Sequence, residues 1–437
     1  MQETNFRGQP IERGQLAVVL GAGRSGKAAV RLLQKKGARV RLLEKNPGAL
    51  NDAERAEFTS LDIDWRIKEH APDDFLGARF VVLSPGIPMV QVLPLLDQEA
   101  LASGALEVLA EMELAYRYLT DEPILAVTGT SGKTTTVSVA AAMLKQQGYS
   151  VFLGGNIGTP LSEYILAERK ADVLVLEISS FQLQTCTTFA PRVAVLLNLS
   201  PNHLDYHKDM AEYIQAKFRL FRWQDGNDLA VLGSDLEPLA AKFGLRARKV
   251  FINDTDRFPK MQLIGPHNRF NCEAAWQATR FFGVSLANAS EAVAKFHPLP
   301  NRLERVREHE SVLYINDSKS TTVAALKVAL EAMERPVRLL CGGKFKGGDL
   351  KSLLPIIKTK VKQVALFGAA REEFESAWQG EVPISWHPNL DGAVDELFHA
   401  AEVGDVVLLS PATASFDLYK NYVERGTHFR KLVEALP

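Results

Sequence analysis

Residues 124–136 read Ile-Leu-Ala-Val-Thr-Gly-Thr-Ser-Gly-Lys-Thr-Thr-Thr, and this stretch restricts the fold more than any other. Residues 124–127 have the composition and length of a buried strand. The apolar run breaks at Gly129-Thr130-Ser131-Gly132, and the Ala-rich segment from Lys133 to Gln147 predicts a helix. A strand, a glycine turn and a helix N-terminus gather backbone N–H groups and the positive end of a helix dipole at one point, which suits a phosphate. Lys133 adds a charge on a flexible stem, and Thr134 adds a hydroxyl suited to a magnesium ion. The usual phosphate loop has a glycine six residues before its lysine. Here that position is Val127, so the loop is the shorter G-x-x-G-K-T. The competing reading is a plain strand-to-helix turn, which the Gly-Lys-Thr at the turn itself disfavours.

A chain of 437 residues exceeds one compact core and suggests about three domains. The net charge of −1 supplies no basic field for nucleic acid or an acidic membrane. Residues 1–10 are polar, with no signal-peptide core, and the longest apolar runs are strand-sized. The 3 cysteines, Cys186, Cys272 and Cys341, are widely spaced and offer no disulfide or zinc framework. A soluble cytoplasmic protein is expected, acting as a monomer without nucleic-acid or membrane partners.

The first segment opens with a strand at 16–20, then Gly21-Ala22-Gly23-Arg24-Ser25-Gly26, a helix to about Lys36, and a strand at 40–43 ending at Glu44. This is the dinucleotide fingerprint in its proper context. Its physics requires only a diphosphate at a helix N-terminus and a carboxylate near a ribose, so any nucleotide diphosphate fits. Residues 80–83 form another buried strand, followed by the rigid turn Ser84-Pro85-Gly86-Ile87-Pro88 at the end where parallel sheets hold ligands. That turn could equally be simple punctuation.

Residues 120–123 read as a linker. Strands follow at 151–153, 173–178, 193–199 and 229–232, with helices between, which predicts a mostly parallel α/β sheet. Polar clusters close these strands: Gly154-Gly155-Asn156-Ile157-Gly158, then Glu177-Ile178-Ser179-Ser180-Phe181-Gln182, then Asn198 to Asp205 with His203. In a parallel sheet all three share the edge of the phosphate loop. One lysine against one phosphate at about 4 Å is worth only about 1 kcal/mol in a water-like dielectric, so ATP chemistry needs divalent cations too. Thr134 and Glu177 are candidates for one magnesium and His203 for another; a capping role for Glu177 and an ordinary loop histidine are the plainer alternatives. Lys217 lies in a predicted helix whose apolar residues are 213, 214, 218 and 221, and spacing places it on a solvated face. Residues 265–271 precede a helix reaching about Phe282, whose first face Asn268 and Asn271 would share, and N-capping is their plain explanation.

A third α/β unit starts near Leu299-Pro300-Asn301-Arg302. Strands at 314–315, 337–341, 364–367 and 406–409 lead into loops bearing Asp317 and Thr321, then Lys346, then Ser415, before a final helix with Lys420, Asn421 and Tyr422. The glycine-lysine loop 342–349 could bind a carboxylate or phosphate, or be a surface turn.

The motifs Gly-Thr-Ser-Gly-Lys-Thr-Thr, Gly-Gly-Asn-Ile-Gly, Glu-Ile-Ser-Ser-Phe-Gln-Leu, Asn-His-Leu-Asp-Tyr-His, Gly-Pro-His-Asn-Arg-Phe-Asn, Asn-Arg-Leu-Glu and Asn-Asp-Ser-Lys occur here in the order found in the Mur ligases. The chain resembles that family over its whole length. Its ending, Ser-Pro-Ala-Thr-Ala-Ser-Phe-Asp-Leu-Tyr-Lys-Asn-Tyr-Val-Glu-Arg-Gly, resembles the branch that adds D-glutamate. The Asp-Asn-Pro-Arg motif of the diaminopimelate- or lysine-adding branch is absent.

The resemblance implies three α/β domains: a Rossmann-like UDP-substrate domain at 1–120, a central P-loop ATPase-type domain at 121–298 and a Rossmann-like C-terminal domain at 299–437. It implies ATP-dependent ligation of D-glutamate to UDP-N-acetylmuramoyl-L-alanine through an acyl phosphate, with two magnesium ions. Gly129, Thr130, Ser131, Gly132, Lys133, Thr134 and Thr135 would hold the ATP phosphates. Thr134 and Glu177 would bind one metal, and His203 with a carbamylated Lys217 the second. Asn268, Asn271, Arg302 and Asp317 would serve the rest of ATP. Arg24, Ser25, Glu44, Lys45, Asn46, Ser84 and Gly86 match uridine-nucleotide contacts, and Asn156 the sugar-peptide end. Thr321, Lys346, Ser415 and Tyr422 match D-glutamate contacts. Such a site draws on all three domains, with hinges near 120–123 and 296–300.

Two departures stand out. Asn202 replaces an acidic residue usual before the histidine, and Lys45 and Asn46 differ from the residues other members place beside uracil. Two other function classes compete. A nicotinamide oxidoreductase would use Gly21 to Gly26 and Glu44 but leave Lys133 and Glu177 without a task. A regulatory P-loop NTPase would hydrolyse ATP without an amino-acid acceptor.

Overall fold

A computed structural model describes residues 8–202 and 206–437. The architecture is α/β with three separate sheets. The first contains β1 (Leu16–Leu20), β2 (Arg39–Glu44), β3 (Asp64–Ile67), β4 (Ala78–Leu83) and β5 (Glu107–Ala110) in the order β3-β2-β1-β4-β5. Its order reverses between β1 and β4, the crevice where parallel sheets receive ligands. The Gly21 loop and the Ser84 turn both lie at that crevice.

The second sheet contains β6 (Ile124–Thr128), β7 (Val151–Gly155), β8 (Val173–Glu177), β9 (Val193–Leu196), β10 (Leu229–Gly233) and β11 (Arg248–Ile252) in the order β11-β10-β9-β6-β8-β7. Every pairing in it is parallel. The third contains β12 (Glu304–His309), β13 (Val312–Asn316), β14 (Val337–Gly342), β15 (Val361–Phe367), β16 (Ile384–His387) and β17 (Val406–Leu409) in the order β12-β13-β17-β14-β15-β16. Only its β12–β13 hairpin is antiparallel.

Central strands of the second sheet are buried along their whole length, which is why they read as unbroken Val/Leu/Ile runs. Strands β3, β5, β11, β12 and β16, which the apolar runs did not reveal, all lie at sheet edges. Edges tolerate polar residues on both faces, as in Arg-Lys-Val-Phe-Ile of β11 and Glu-Arg-Val-Arg-Glu-His of β12.

The chain forms two compact units. One runs through Thr255 and includes Phe270–Val293; the other comprises Asp256–Arg269 and Ala294–Pro437. In the first unit, both sheets share one apolar core, with Val30, Leu33 and Leu114 packed in the same cluster as Leu161, Leu183 and Phe189. The buried helix Glu111–Tyr116 is the wedge between them. Its Glu113 accepts hydrogen bonds from the N–H and hydroxyl of Thr188, the hydroxyl of Thr187 and the N–H of Phe189 at 2.6–3.1 Å. Glu111 accepts from Ser162 N–H at 2.7 Å, and burial pushes its carboxyl up to about 7. The second unit has apolar clusters on both faces of its sheet.

Candidate active site

In the second sheet, β6 ends at Thr128 and the helix Lys133–Gln146 begins after four intervening residues, with Gly132 in the left-handed region at φ 86° as its N-cap. A side chain at 132 would place its Cβ 2.4 Å from Asn271 Oδ1, so only glycine lets Asn271 approach the loop. Asn198 fixes the loop from the neighbouring strand end. Its carbonyl accepts from Thr130 N–H at 3.1 Å and its Oδ1 from Ser131 N–H at 2.9 Å. Lys133 folds back so that Nζ donates to the carbonyls of Gly129 and Thr130 at 2.8 and 3.0 Å.

The expected convergence on one sheet edge is present. Glu177, at the end of β8, accepts from Thr134 Oγ1 at 2.7 Å through one oxygen and from Asn156 Nδ2 at 2.8 Å through the other. Thr135 is buried in the first helical turn. His203 lies outside the described residues.

Lys217 corrects the sequence reading. It is 2% exposed, not solvated. The reason is helical geometry: it follows Tyr213 by four residues and Ile214 by three, so it belongs to their inward face. Its Nζ donates to Gly129 O at 2.9 Å and Thr128 Oγ1 at 3.3 Å, and lies 4.8 Å from the Tyr213 ring centre. Burial, then the charge of Lys133, drive its pKa well below that of an ordinary lysine, with Glu177 opposing. Tyr213 does more than fill the apolar helix face that its spacing predicts. Its hydroxyl also meets Thr130 Oγ1 at 2.9 Å, so one ring supports both the lysine and the loop.

Asn268 and Asn271 also depart from expectation. The helix Pro266–Thr279 already contains them, so neither is its cap. Asn268 turns its amide back to Ile264 O at 2.8 Å.

At the first sheet's crevice, Arg24 and Ser25 open the helix Arg24–Lys35. Arg24 makes a two-point ion pair with Glu163 at 3.1 and 2.9 Å and also bonds to Gly158 O at 2.6 Å. Glu44 accepts from the N–H groups of Ala22, Lys45 and Asn46 at 2.7–2.8 Å. Burial raises its pKa, but the three N–H groups outweigh burial and leave it below the usual carboxylate value. Lys45 pairs with Glu69 at 2.6 Å, and Asn46 caps Gly48 N–H. Ser84 Oγ donates to Gly21 O at 3.0 Å, and Gly86 is exposed. Tyr206 joins this crevice to the second sheet's edge: its hydroxyl bonds to Ile87 O at 3.2 Å and its ring lies, tilted by 32°, with its centre 3.8 Å from that of Phe181.

In the second unit, Asp317 follows β13 and accepts from Leu303 N–H at 3.2 Å and Ser410 Oγ at 3.0 Å. Burial pushes its carboxyl up to about 7, with these bonds and the charge of Arg302 opposing. Lys346 Nζ lies 3.5 Å from Thr321 Oγ1. Ser415 is buried, and Tyr422 opens the last helix.

Residues 127–260 match the Mur ligase middle domain, and residues 301–413 match the Mur ligase, glutamate ligase domain. The sequence is 62% identical over 432 residues to a UDP-N-acetylmuramoylalanine--D-glutamate ligase from Desulfovibrio desulfuricans, covering 98% of each chain. The chain belongs to the Mur ligase family. A Nitratidesulfovibrio vulgaris Mur ligase of the same name is 58% identical over 427 residues, again covering 98% of each. The Mur ligase fold extends to a solved MurF ligase from Thermotoga maritima in complex with ADP, at TM-score 0.58 and 18% identity, covering 97% of this chain and 96% of that one. Membership of this family over nearly the whole chain leaves the nicotinamide reading without support.

Proposed function

We propose that this chain is the ATP-dependent ligase that joins D-glutamate to UDP-N-acetylmuramoyl-L-alanine in cytoplasmic peptidoglycan precursor synthesis, working as a monomer with a division near residues 120 and 298. The near full-length identity to D-glutamate ligases carries the reading, and the Thr134–Glu177–Asn156 group beside the phosphate loop supplies its chemistry. No helix among the described residues is long and apolar enough to cross a membrane.

The L-alanine carboxylate attacks the γ-phosphorus of ATP, ADP leaves, and the D-glutamate amine displaces phosphate from the acyl phosphate. The loop from Gly129 to Thr135 and Lys133 hold the phosphoryl group in place and offset the charge that gathers on it. Asn268, Asn271, Arg302 and Asp317 serve the remainder of ATP. Arg24, Ser25, Glu44, Lys45, Asn46, Ser84, Gly86 and Asn156 hold the UDP substrate, with Glu44 acting by shaping the loop backbone. Thr321, Lys346, Ser415 and Tyr422 receive D-glutamate.

Magnesium fits the donors present. A hydroxyl and a carboxylate within hydrogen-bonding distance are hard oxygen ligands, and a magnesium ion keeps waters and takes substrate phosphates for the rest of its shell. Thr134 and Glu177 would hold one ion, and His203 with Lys217 a second. When bound, the ions neutralise phosphate and carboxylate charge. An ammonium would repel a cation; burial and the charge of Lys133 favour the neutral amine of Lys217, the form that adds carbon dioxide to become a carboxylate-like ligand. Phosphate release from ATP and magnesium, measured with UDP-N-acetylmuramoyl-L-alanine and each amino acid in turn, tests the reading. Release that ignores both acceptor and D-glutamate would sink it.

A further inference from the structure

The terminal motif contains Arg425, one of the largest fully buried side chains of the protein, to which neither the sequence reading nor the reaction assigns a task. It sits in the first turn of the helix Tyr422–Glu434. Its Nε donates to Ser318 Oγ at 3.0 Å. Its Nη2 donates to the carbonyls of Ser318 and Thr413 at 2.8 and 3.1 Å, and its Nη1 to Gly342 O and Thr413 Oγ1 at 3.3 and 3.5 Å. These acceptors stand where the chain leaves β13, β14 and β17. The same three segments carry Thr321, Lys346 and Ser415.

Other bonds bind the segments to one another around this centre. Lys344 and Ala414 exchange backbone hydrogen bonds at 2.8 and 3.0 Å. Ser318 Oγ donates to Tyr422 O at 2.8 Å. The next residue, Gly426, lies so close to Asn301 that a Cβ there would fall 1.7 Å from Oδ1. Asn316 Nδ2 bonds to both Asn301 Oδ1 and Gly426 O. Among the described residues no carboxylate hydrogen-bonds to Arg425; Asp417 attracts it from further off while accepting from Ala369 N–H. Burial pulls the guanidinium down to about 10, so it stays cationic at neutral pH. A buried charge without a paired carboxylate is a costly way to fill space. A planar fork of donors that reaches three loops at once is something only arginine supplies.

We propose that Arg425 is the positioning residue of the amino-acid pocket, joining the three loops that carry Thr321, Lys346 and Ser415 to the helix start that carries Tyr422. This rests on the reading of that pocket as the D-glutamate site. Asp317 is held independently by Leu303 and Ser410, so the ATP side is spared when Arg425 is removed.

The test is steady-state kinetics of Arg425→Met and Arg425→Lys with each substrate varied in turn, beside thermal melting. In Arg425→Met the KM for D-glutamate rises about twentyfold or more, while those for ATP and the UDP substrate move less than about twofold. Arg425→Lys falls between, and added guanidinium ion lowers the D-glutamate KM of Arg425→Met. An equal rise in all three KM values, or an unchanged D-glutamate KM, overturns the proposal. Should Arg425→Met fail to fold, Ser318→Ala removes the Nε acceptor and raises the D-glutamate KM by about threefold with the same selectivity; no change there overturns it too. Wild-type protein that ligates no D-glutamate would instead fail the functional reading.

Discussion

The first unit contains two glycine loops built alike, each a buried strand, a tight turn and a helix N-terminus, yet their neighbours give them different work. In the first, Glu44 turns inward and takes three backbone N–H groups, so the carboxylate shapes the loop. In the second, Glu177 is held by a hydroxyl and an amide, donors that a cation can displace or share. Two lysines converge on the second loop, one from its own helix and one from 88 residues away. A glycine turn therefore states that an anion can bind. The carboxylate and cations around it decide whether that anion is only held or reacts.

Breaking the second loop gives the largest effect. Lys133→Ala and Lys217→Ala each lower turnover by about a hundredfold or more, the first as a lost partner of transition-state charge and the second as a lost metal ligand. Unchanged turnover in Lys217→Ala would remove the carbamate from the scheme. Next, Glu177→Gln raises the magnesium concentration needed for half-maximal phosphate release by about tenfold or more. EDTA stops that release without lowering the melting temperature of the ligand-free protein; a lower melting temperature would mean that the metal is structural.

The first loop should answer on binding alone. Glu44→Gln keeps one acceptor oxygen and raises the KM for the UDP substrate about fivefold, with the ATP KM unchanged. A fall in kcat instead would place Glu44 in the chemistry and erase the contrast between the loops.

The smallest effect concerns Glu111, in the wedge helix between the two sheets. Its folded pKa of about 7 lies above the ordinary 4.5. The stability that protonated Glu111 provides is intact below pH 4.5 and is lost as pH rises towards 7, because the unfolded chain gives up the proton first. Glu111→Gln should therefore raise the melting temperature by a few degrees at pH 8 and leave it unchanged at pH 4. Equal melting curves at pH 8 would show that the carboxyl ionises without cost.

The strands buried on both faces were legible because a parallel interior admits only apolar side chains; the loops after β1, β6 and β14 were legible because glycines, joined by lysine in the last two, break an apolar run, and the end of β8 because Glu177 closes one. The edge strands β11 and β12 were not, since one free side lets lysine, arginine and glutamate occupy them. Lys217 lay in plain view on an apolar helical face and was still misplaced, because a lysine there signals burial only when the surroundings can satisfy it. Family membership was readable from the order of the motifs alone.

Local spacing by itself marked the turns suited to a phosphate, since a glycine turn ahead of a helix aims N–H groups wherever it occurs. Only the tertiary structure decided that Lys217 is buried against Gly129, that Glu44 serves its own loop and that Arg425 ties together three loops. Burial, hydrogen-bond supply and pKa depend on atoms brought in from distant parts of the chain, and no window of neighbouring residues contains them.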